Sequence, residues 1–421
     1  MELYSAIDWS HAFAPRMERM RASEIRELLK LLARPEIISF AGGIPDPALF
    51  PIDAVRRAYD LVLADRELGP ASLQYSISEG YEPLRLWISQ YMARRGVTCG
   101  TENIIITAGS QQGLDLLGKL FLAAGDIALV SAPTYLGALQ AFGAYEPRYL
   151  ILTPESSQAR TICQETAGGR VALAYVVPDF ANPTGETMGE AARRGLLGIT
   201  AEAGVPLIED AAYEALRFEG VPQRSCLALD VERCGHIDRS HVLYCGTFSK
   251  TISPGLRVGW ICAARNLIHK LVLAKQAADL HSATLNQMVL HRLATSIYDD
   301  QVAKIVKVYG ARRDVMFDAL VRQMPDGVSW TEPMGGMFIW VTLPVHLDGA
   351  ELLTASIREE GVAFVPGRAF FADGNGCNTL RLNYSLQSEA GIEEGIGRLG
   401  RLITRKLTGA MWRPRGHSRL G

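Results

Sequence analysis

Short apolar runs bounded by glycine, proline and small polar residues recur through the middle of this chain. They fall at 103–107, 127–131, 171–177, 205–209 and 241–245 and are rich in Ile, Val and Leu, so they read as strands buried on both faces. Between them the apolar positions follow a helical period; after Ala108-Gly109-Ser110, Leu114, Leu117, Leu120 and Phe121 share one helical face. Strand-like and helical stretches alternate in this way from about residue 50 to about residue 290. That is the pattern of an open α/β sheet that binds its ligand at the carboxyl ends of its strands. From about residue 300 the pattern changes to a long charged helix through Tyr309 to Leu320, then strands at 335–340 and 380–384 with helices around them. Two domains are expected, because 421 residues with 48% apolar content exceed one ordinary core.

The residues just after the strand runs carry chemistry. Lys250 follows the run 241–245 in Gly246-Thr247-Phe248-Ser249-Lys250, among small, hydroxyl and apolar neighbours. Desolvation in such a turn disfavours the ammonium and frees the amine as a Schiff-base nucleophile. Arg257, after Pro254-Gly255, can hold a phosphate while Lys250 holds an aldehyde, and the pair suggests pyridoxal phosphate (PLP). Asp210 ends the run 205–209, where a buried carboxylate needs a cationic partner such as a pyridinium nitrogen; the alternative is the N-cap of a following helix. Tyr213 lies on the same turn, within reach of a ring oxygen. Asn182, in Asn182-Pro183-Thr184-Gly185 after the run 171–177, either donates to a phenolate-like oxygen or simply starts a turn. The strand-to-helix junction at Ser110 and Gln111 offers backbone N–H groups and a helix dipole to a phosphate. Tyr135, after the run 127–131, either stacks on the pyridine ring or belongs to the core. Neither a P-loop nor a G-x-G-x-x-G after a strand is present, so ATP and dinucleotide readings lose support.

The order of these residues resembles the class I aminotransferase family of fold-type I PLP enzymes, from about residue 9 to about residue 405. The resemblance implies an α/β fold in which a large domain, with a mostly parallel seven-stranded sheet sandwiched by helices, carries a smaller α+β domain. It divides the chain into an amino-terminal arm (1–50), a PLP-binding domain (51–295) and a small domain with a basic tail (296–421). It makes Lys250 the cofactor-linked lysine and proton-transfer base, Asp210 the ring-nitrogen partner, and Asn182 and Tyr213 the donors to the ring hydroxyl. Ser110, Gln111, Thr247, Ser249 and Arg257 match the phosphate site, and Tyr135 the stacking aromatic. Tyr75 matches a tyrosine that reaches the neighbouring subunit's phosphate, which implies a homodimer. Arg381, in the strand-like Thr379-Leu380-Arg381-Leu382-Asn383, matches the arginine that grips the α-carboxylate of the amino acid.

The segments Trp9-Ser10-His11-Ala12-Phe13, Ala22 to Leu29 and Ile38 to Pro47 resemble the 2-aminoadipate and kynurenine type of aminotransferase. There a mobile amino-terminal helix closes over the substrate. Arg26 and Ser23 stand where that helix contacts a substrate side chain, and Gly43 stands where the backbone approaches the substrate; for Arg26 the alternative is a solvent-facing helix charge. Ala181 departs from the polar residue frequent before the Asn-Pro-Thr-Gly turn, and Thr247 replaces a usual serine while keeping its hydroxyl. The implied reaction moves the amino group of an L-amino acid (2-aminoadipate, aromatic or broader) to a 2-oxo acid such as 2-oxoglutarate. The alternatives are a PLP lyase, decarboxylase or cyclase, and the effector domain of a transcription regulator. The last would need a winged-helix domain ahead of Gly42-Gly43, where about forty residues stand.

Composition changes this picture little. A net charge of -2, from 43 basic and 45 acidic residues, gives no reason to expect nucleic acid as a partner. No apolar run approaches the length of a membrane span, and Met1 to Ser10 lacks a signal core. Seven scattered cysteines without a C-x-x-C pair fit reduced thiols in the cytoplasm better than a disulfide framework or a metal site. The basic stretch Arg401 to Gly421 reads as a solvated helix end and a frayed terminus.

Overall fold

The computed structural model describes residues 9, 12–14, 16–20, 36–152 and 169–411. Numbered along the chain, the strands are β1 (Ile38–Ser39), β2 (Ile104–Thr107), β3 (Ile127–Val130), β4 (Arg148–Ile151), β5 (Val171–Val176), β6 (Leu207–Asp210), β7 (Val242–Thr247), β8 (Gly259–Cys262), β9 (Ser329–Trp330), β10 (Phe338–Thr342), β11 (Val362–Ala363), β12 (Val365–Pro366) and β13 (Thr379–Asn383). Seven of them form the central sheet in the order β2-β8-β7-β6-β5-β3-β4. All pairings are parallel except those of β8, which runs antiparallel to both β2 and β7.

Alternation along each strand builds two cores. Ile104 and Ile106 of β2, Leu207 of β6, and Val242 and Tyr244 of β7 face one side, against the helices Glu82–Ala93 and Thr284–Ser296. Ile105, Ile208, Leu243 and Cys245 face the other, against Ser110–Phe121 and Arg265–Gln276. Because both faces are covered, the strands are apolar on both sides up to their carboxyl ends, and their side-chain period of two is visible only in the structure. On the helix Ser110–Phe121, Leu114 and Leu117 are buried as expected; Leu116 is buried too, and Leu120 and Phe121 only partly.

A separate apolar cluster unites β10, β13 and the helices Tyr298–Gln323 and Glu389–Met411 with Phe40 and Leu49 from the amino-terminal segment. There β12, β13, β10 and β9 make an antiparallel sheet, and β1 pairs in parallel with β11. The charged helix read at Tyr309 to Leu320 extends over Tyr298–Gln323. Arg405 and Lys406 at the basic end of the last helix lie on Glu359 and Glu360, at 2.7 to 3.9 Å. Residues 412–421 of the basic tail are outside the described residues.

The sheet register is what gathers the chemistry. Gly259 pairs with both Thr107 and Thr247, which brings the ends of β2 and β7 to one level on either side of β8. Asp210 pairs with Cys245, so β6 ends at the same edge of the sheet, two residues short of Thr247. The chain after Asp210 does not enter a helix, and the next one is Cys226–Cys234. Asp210 is therefore not an N-cap, and its carboxylate is free for another use.

Candidate active site

Asp210 is 2% exposed. Its Oδ2 accepts a hydrogen bond of 2.8 Å from the Tyr175 hydroxyl, while its buried Oδ1 has no partner among the described residues. Burial raises its pKa to about 6, against the stabilising hydrogen bonds from Tyr175 and the Ala212 backbone. An unpaired buried carboxylate oxygen costs about 1–3 kcal/mol or more, and a protonated ring nitrogen removes that cost. The orphaned oxygen thus fits the pyridine ring of PLP.

Lys250 follows β7, with its Nζ donating to the Gly43 carbonyl at 2.8 Å and lying 5.9 Å from the centre of the Tyr213 ring. Burial pushes its pKa down to about 8; Arg381 and Arg257 push the same way and Asp210 opposes them. An amine with such a pKa is partly neutral at physiological pH, which a nucleophile or base requires.

The junction of β2 with the helix Ser110–Phe121 forms the anion cradle. Gly109 has φ 81° and ψ 165°, a backbone shape that favours glycine, and a Cβ there would collide with the Arg257 guanidinium. Arg257 itself sits at φ 54°, with Nη2 donating to the Ala108 carbonyl at 3.2 Å. Across β8, the Ser249 backbone N–H donates to Thr247 Oγ1 at 3.1 Å, and Thr247 Oγ1 lies 2.9 Å from Ser249 Oγ. Ser110 begins the helix, and the Gln111 side chain donates to the Gly137 carbonyl at 2.8 Å. The cradle therefore draws on backbone N–H groups, hydroxyls and one exposed guanidinium, a donor set suited to a phosphate.

A second set of polar groups meets around Arg381. Arg381 is 1% exposed on β13; its Nη1 donates to Asn182 Oδ1 at 2.7 Å and its Nη2 to the Ala41 and Gly42 carbonyls at 3.1 Å each. Among the described residues its Nε–H has no partner, and the guanidinium lies 4.3 Å from the centre of the Phe338 ring. Burial lowers its pKa to about 10, so it stays cationic at neutral pH. Asn182 Nδ2 donates to the Tyr213 hydroxyl at 3.3 Å. Gly43 is tight as well, since a Cβ would stand 3.3 Å from Phe338 Cζ. Tyr135 precedes the helix Leu136–Gly143, and burial raises its pKa to about 12, with Asp210 adding to the rise.

The fold brings together Lys250, Asp210, Tyr213, Asn182, Tyr135 and Arg381, with the cradle of Ser110, Gln111, Thr247, Ser249 and Arg257 alongside. Tyr75 stands apart: it is 80% exposed and touches His281 edge-on, at 6.0 Å between ring centres. Arg26 and Ser23 lie outside the described residues. Sequence reading missed Tyr175, which in an apolar strand is indistinguishable from core until β5 is seen beside β6. It also missed Arg193, whose fully buried side chain donates to the Pro178 and Met188 carbonyls at 3.2 and 2.8 Å and pairs with Asp179 at 2.9 Å. Arg193 thereby ties both ends of the loop that carries Asn182.

Known proteins resemble this chain in sequence and fold. The chain is 43% identical over 399 residues to the 2-aminoadipate transaminase of Thermus thermophilus, covering 94% of this chain and 98% of that one. It is 40% identical over 410 residues to aromatic-amino-acid aminotransferase 1 of Thermococcus litoralis, covering 95% and 96%. The crystal structure of Pyrococcus horikoshii kynurenine aminotransferase, in complex with PMP, superposes with a TM-score of 0.87 at 40% identity, over 95% of this chain and 98% of that one. A family model described as aminotransferase class I and II matches residues 36–399. That span holds the anion cradle, the lysine loop and Arg381 together, and the chain belongs to the class I and II aminotransferase family.

Proposed function

We propose that this aminotransferase moves the amino group of an L-amino acid, of the 2-aminoadipate or aromatic kind or broader, to a 2-oxo acid such as 2-oxoglutarate, with PLP as cofactor. The observation that carries the reading is the buried, unpaired Asp210 Oδ1 facing the same site as an amine whose pKa is lowered to about 8. When bound, PLP supplies an aldehyde that links to amines and a ring that withdraws electrons from the substrate Cα. Lys250 Nζ would be the amine that holds the cofactor's aldehyde and, once free, the base that moves the substrate Cα proton. Asp210 would keep a proton on the ring nitrogen, and Asn182 and Tyr213 would donate to the ring oxygen. The cradle from Ser110 to Arg257 would hold the phosphate, Tyr135 would cover the ring, and Arg381 would orient the α-carboxylate through its planar fork.

In this reading residues 51–295 bind the cofactor and 296–421 form the small domain, while the helix of the arm 1–50 closes over the substrate with Ser23 and Arg26 at its side chain, and the backbone at Gly43 approaches the substrate closely. A second copy completes each site with its Tyr75. The exposure of Leu73, Tyr75 and Ile77 on one segment supports such a contact. We place the enzyme in the cytoplasm, the compartment that suits its unpaired cysteines. The lyase and regulator readings are not favoured, since the relatives at 40–43% identity carry transaminase names.

Glutamate formation from 2-oxoglutarate across a panel of L-amino acids tests the assignment: 2-aminoadipate or an aromatic donor should lead, and a panel yielding none overturns it. In the same assay Arg381→Gln is expected to raise KM for every donor by roughly 10²- to 10³-fold, because a desolvated carboxylate loses its charged partner. An unchanged KM would remove Arg381 from the substrate site. The lowered Lys250 pKa sets a pH dependence as well. Only the neutral amine attacks an aldehyde, so capture of added PLP by the apoprotein should quicken about tenfold per pH unit below about 8 and level off above it. Stopped-flow absorbance measures this, and a profile still rising through pH 10 would contradict the lowered pKa.

A further inference from the structure

Lys275 has a fully buried side chain near the end of the helix Arg265–Gln276 and takes no part in the mechanism above. Its three N–H donors meet three residues: Gln112 Oε1 at 2.9 Å, the Asp279 carboxylate at 2.8 and 2.9 Å, and Ser282 Oγ at 2.9 Å. Gln112 is fixed by these partners, because its Nε2 donates to Asp279 Oδ2 at 2.6 Å. With its amide so oriented, Gln112 Oε1 also accepts from the Ala108 backbone N–H at 2.8 Å. The Ala108 carbonyl in turn accepts from Arg257 Nη2 at 3.2 Å. One peptide group is thus held on its N–H side by Gln112 and on its carbonyl side by Arg257, immediately before Gly109 turns the chain into the helix at Ser110.

We propose that Lys275, acting through Gln112, is a positioning residue for the anion cradle, setting the Ala108–Ser110 backbone and the Arg257 guanidinium against the cofactor phosphate. The inference rests on the reading of Ser110 and Arg257 as the phosphate site. Nothing in the chain of contacts requires Lys275 to touch the ligand. A buried ammonium suits the task because its hydrogen bonds to a carboxylate and an amide are charge-assisted and leave Gln112 a single orientation. Loss of the ammonium frees Gln112 to turn, and the Ala108 N–H then loses its acceptor.

The test compares PLP with pyridoxal, which has the same ring and aldehyde but no phosphate, in titrations of apoprotein prepared from the full chain. Lys275→Met and Gln112→Ala should each weaken PLP binding by about 10- to 100-fold while changing pyridoxal binding by less than about twofold. Gln112 is only partly buried and its replacement keeps the Lys275–Asp279 pair, so that variant folds even where Lys275→Met does not. A merely structural role would lower affinity for both ligands alike, and that result, or no loss with Gln112→Ala, overturns the proposal. Arg257→Gln separates the two levels of the argument: if it too leaves the preference for PLP over pyridoxal unchanged, the cradle reading itself fails. If Arg257→Gln reduces that preference and the other two variants do not, only the role of Lys275 fails.

Discussion

Lys250→Ala is expected to lower transamination by at least about 10⁴-fold with the fold intact, since both the covalent tether and the proton-transferring base are lost together. Among the described residues the side chain has one hydrogen bond, to the Gly43 carbonyl, so little of the architecture depends on it. Lys250→Arg is the sharper variant. It keeps a cation and a donor toward Gly43, yet a guanidinium stays protonated and can neither attack an aldehyde nor accept the Cα proton. Both variants should therefore be inactive in glutamate formation, with wild-type melting temperatures for the apoproteins. Retained activity in the arginine variant would mean that Lys250 serves only as a charge.

Asp210→Asn is expected to lower kcat by roughly 10²- to 10⁴-fold, with a much smaller change in KM for the amino acid. The amide fills the same volume and can still accept from the Tyr175 hydroxyl, so packing survives. What is lost is the negative charge at the buried, unpaired Oδ1, and breaking a buried ionic partnership from one side costs about 3–5 kcal/mol. That loss falls on the chemical step, because a neutral ring nitrogen is a poorer electron sink for the developing Cα charge. Steady-state kinetics at neutral pH checks it, and an Asn variant with wild-type kcat would show that the carboxylate has no hold on the ring.

Much of the site was legible because its residues stand at the ends of apolar runs. In a parallel sheet every strand end at the carboxyl edge faces the ligand, so Asp210, the Asn182 turn and the lysine loop could be marked from the sequence. Direction was not legible: β8 is as apolar as its neighbours, and only the paired register Thr107–Gly259–Thr247 shows it running against them. Nor could periodicity find Tyr175, Arg193 or Lys275. Each is a polar group with a partner far away in sequence, as with Lys275 and Gln112, separated by 163 positions. Asp210 was open to reading as an N-cap because its sequence neighbours, Ala211 and Ala212, suit a helix. The observed turn instead leads to Tyr213, whose ring packs at 5.6 Å from Phe338, so tertiary packing overrides local propensity there.

The central claim is that one lysine, one carboxylate and one arginine alternate an amino group between two substrates. It is tested most directly by the absorbance spectrum of the purified holoenzyme as an L-amino acid and then 2-oxoglutarate are added, without turnover of both at once. The account predicts that the band of lysine-linked PLP disappears with a 2-aminoadipate or aromatic donor, returns fully with the oxo acid, and is absent from Lys250→Ala. A donor that is consumed while the band never cycles, or a band that survives in Lys250→Ala, would contradict it.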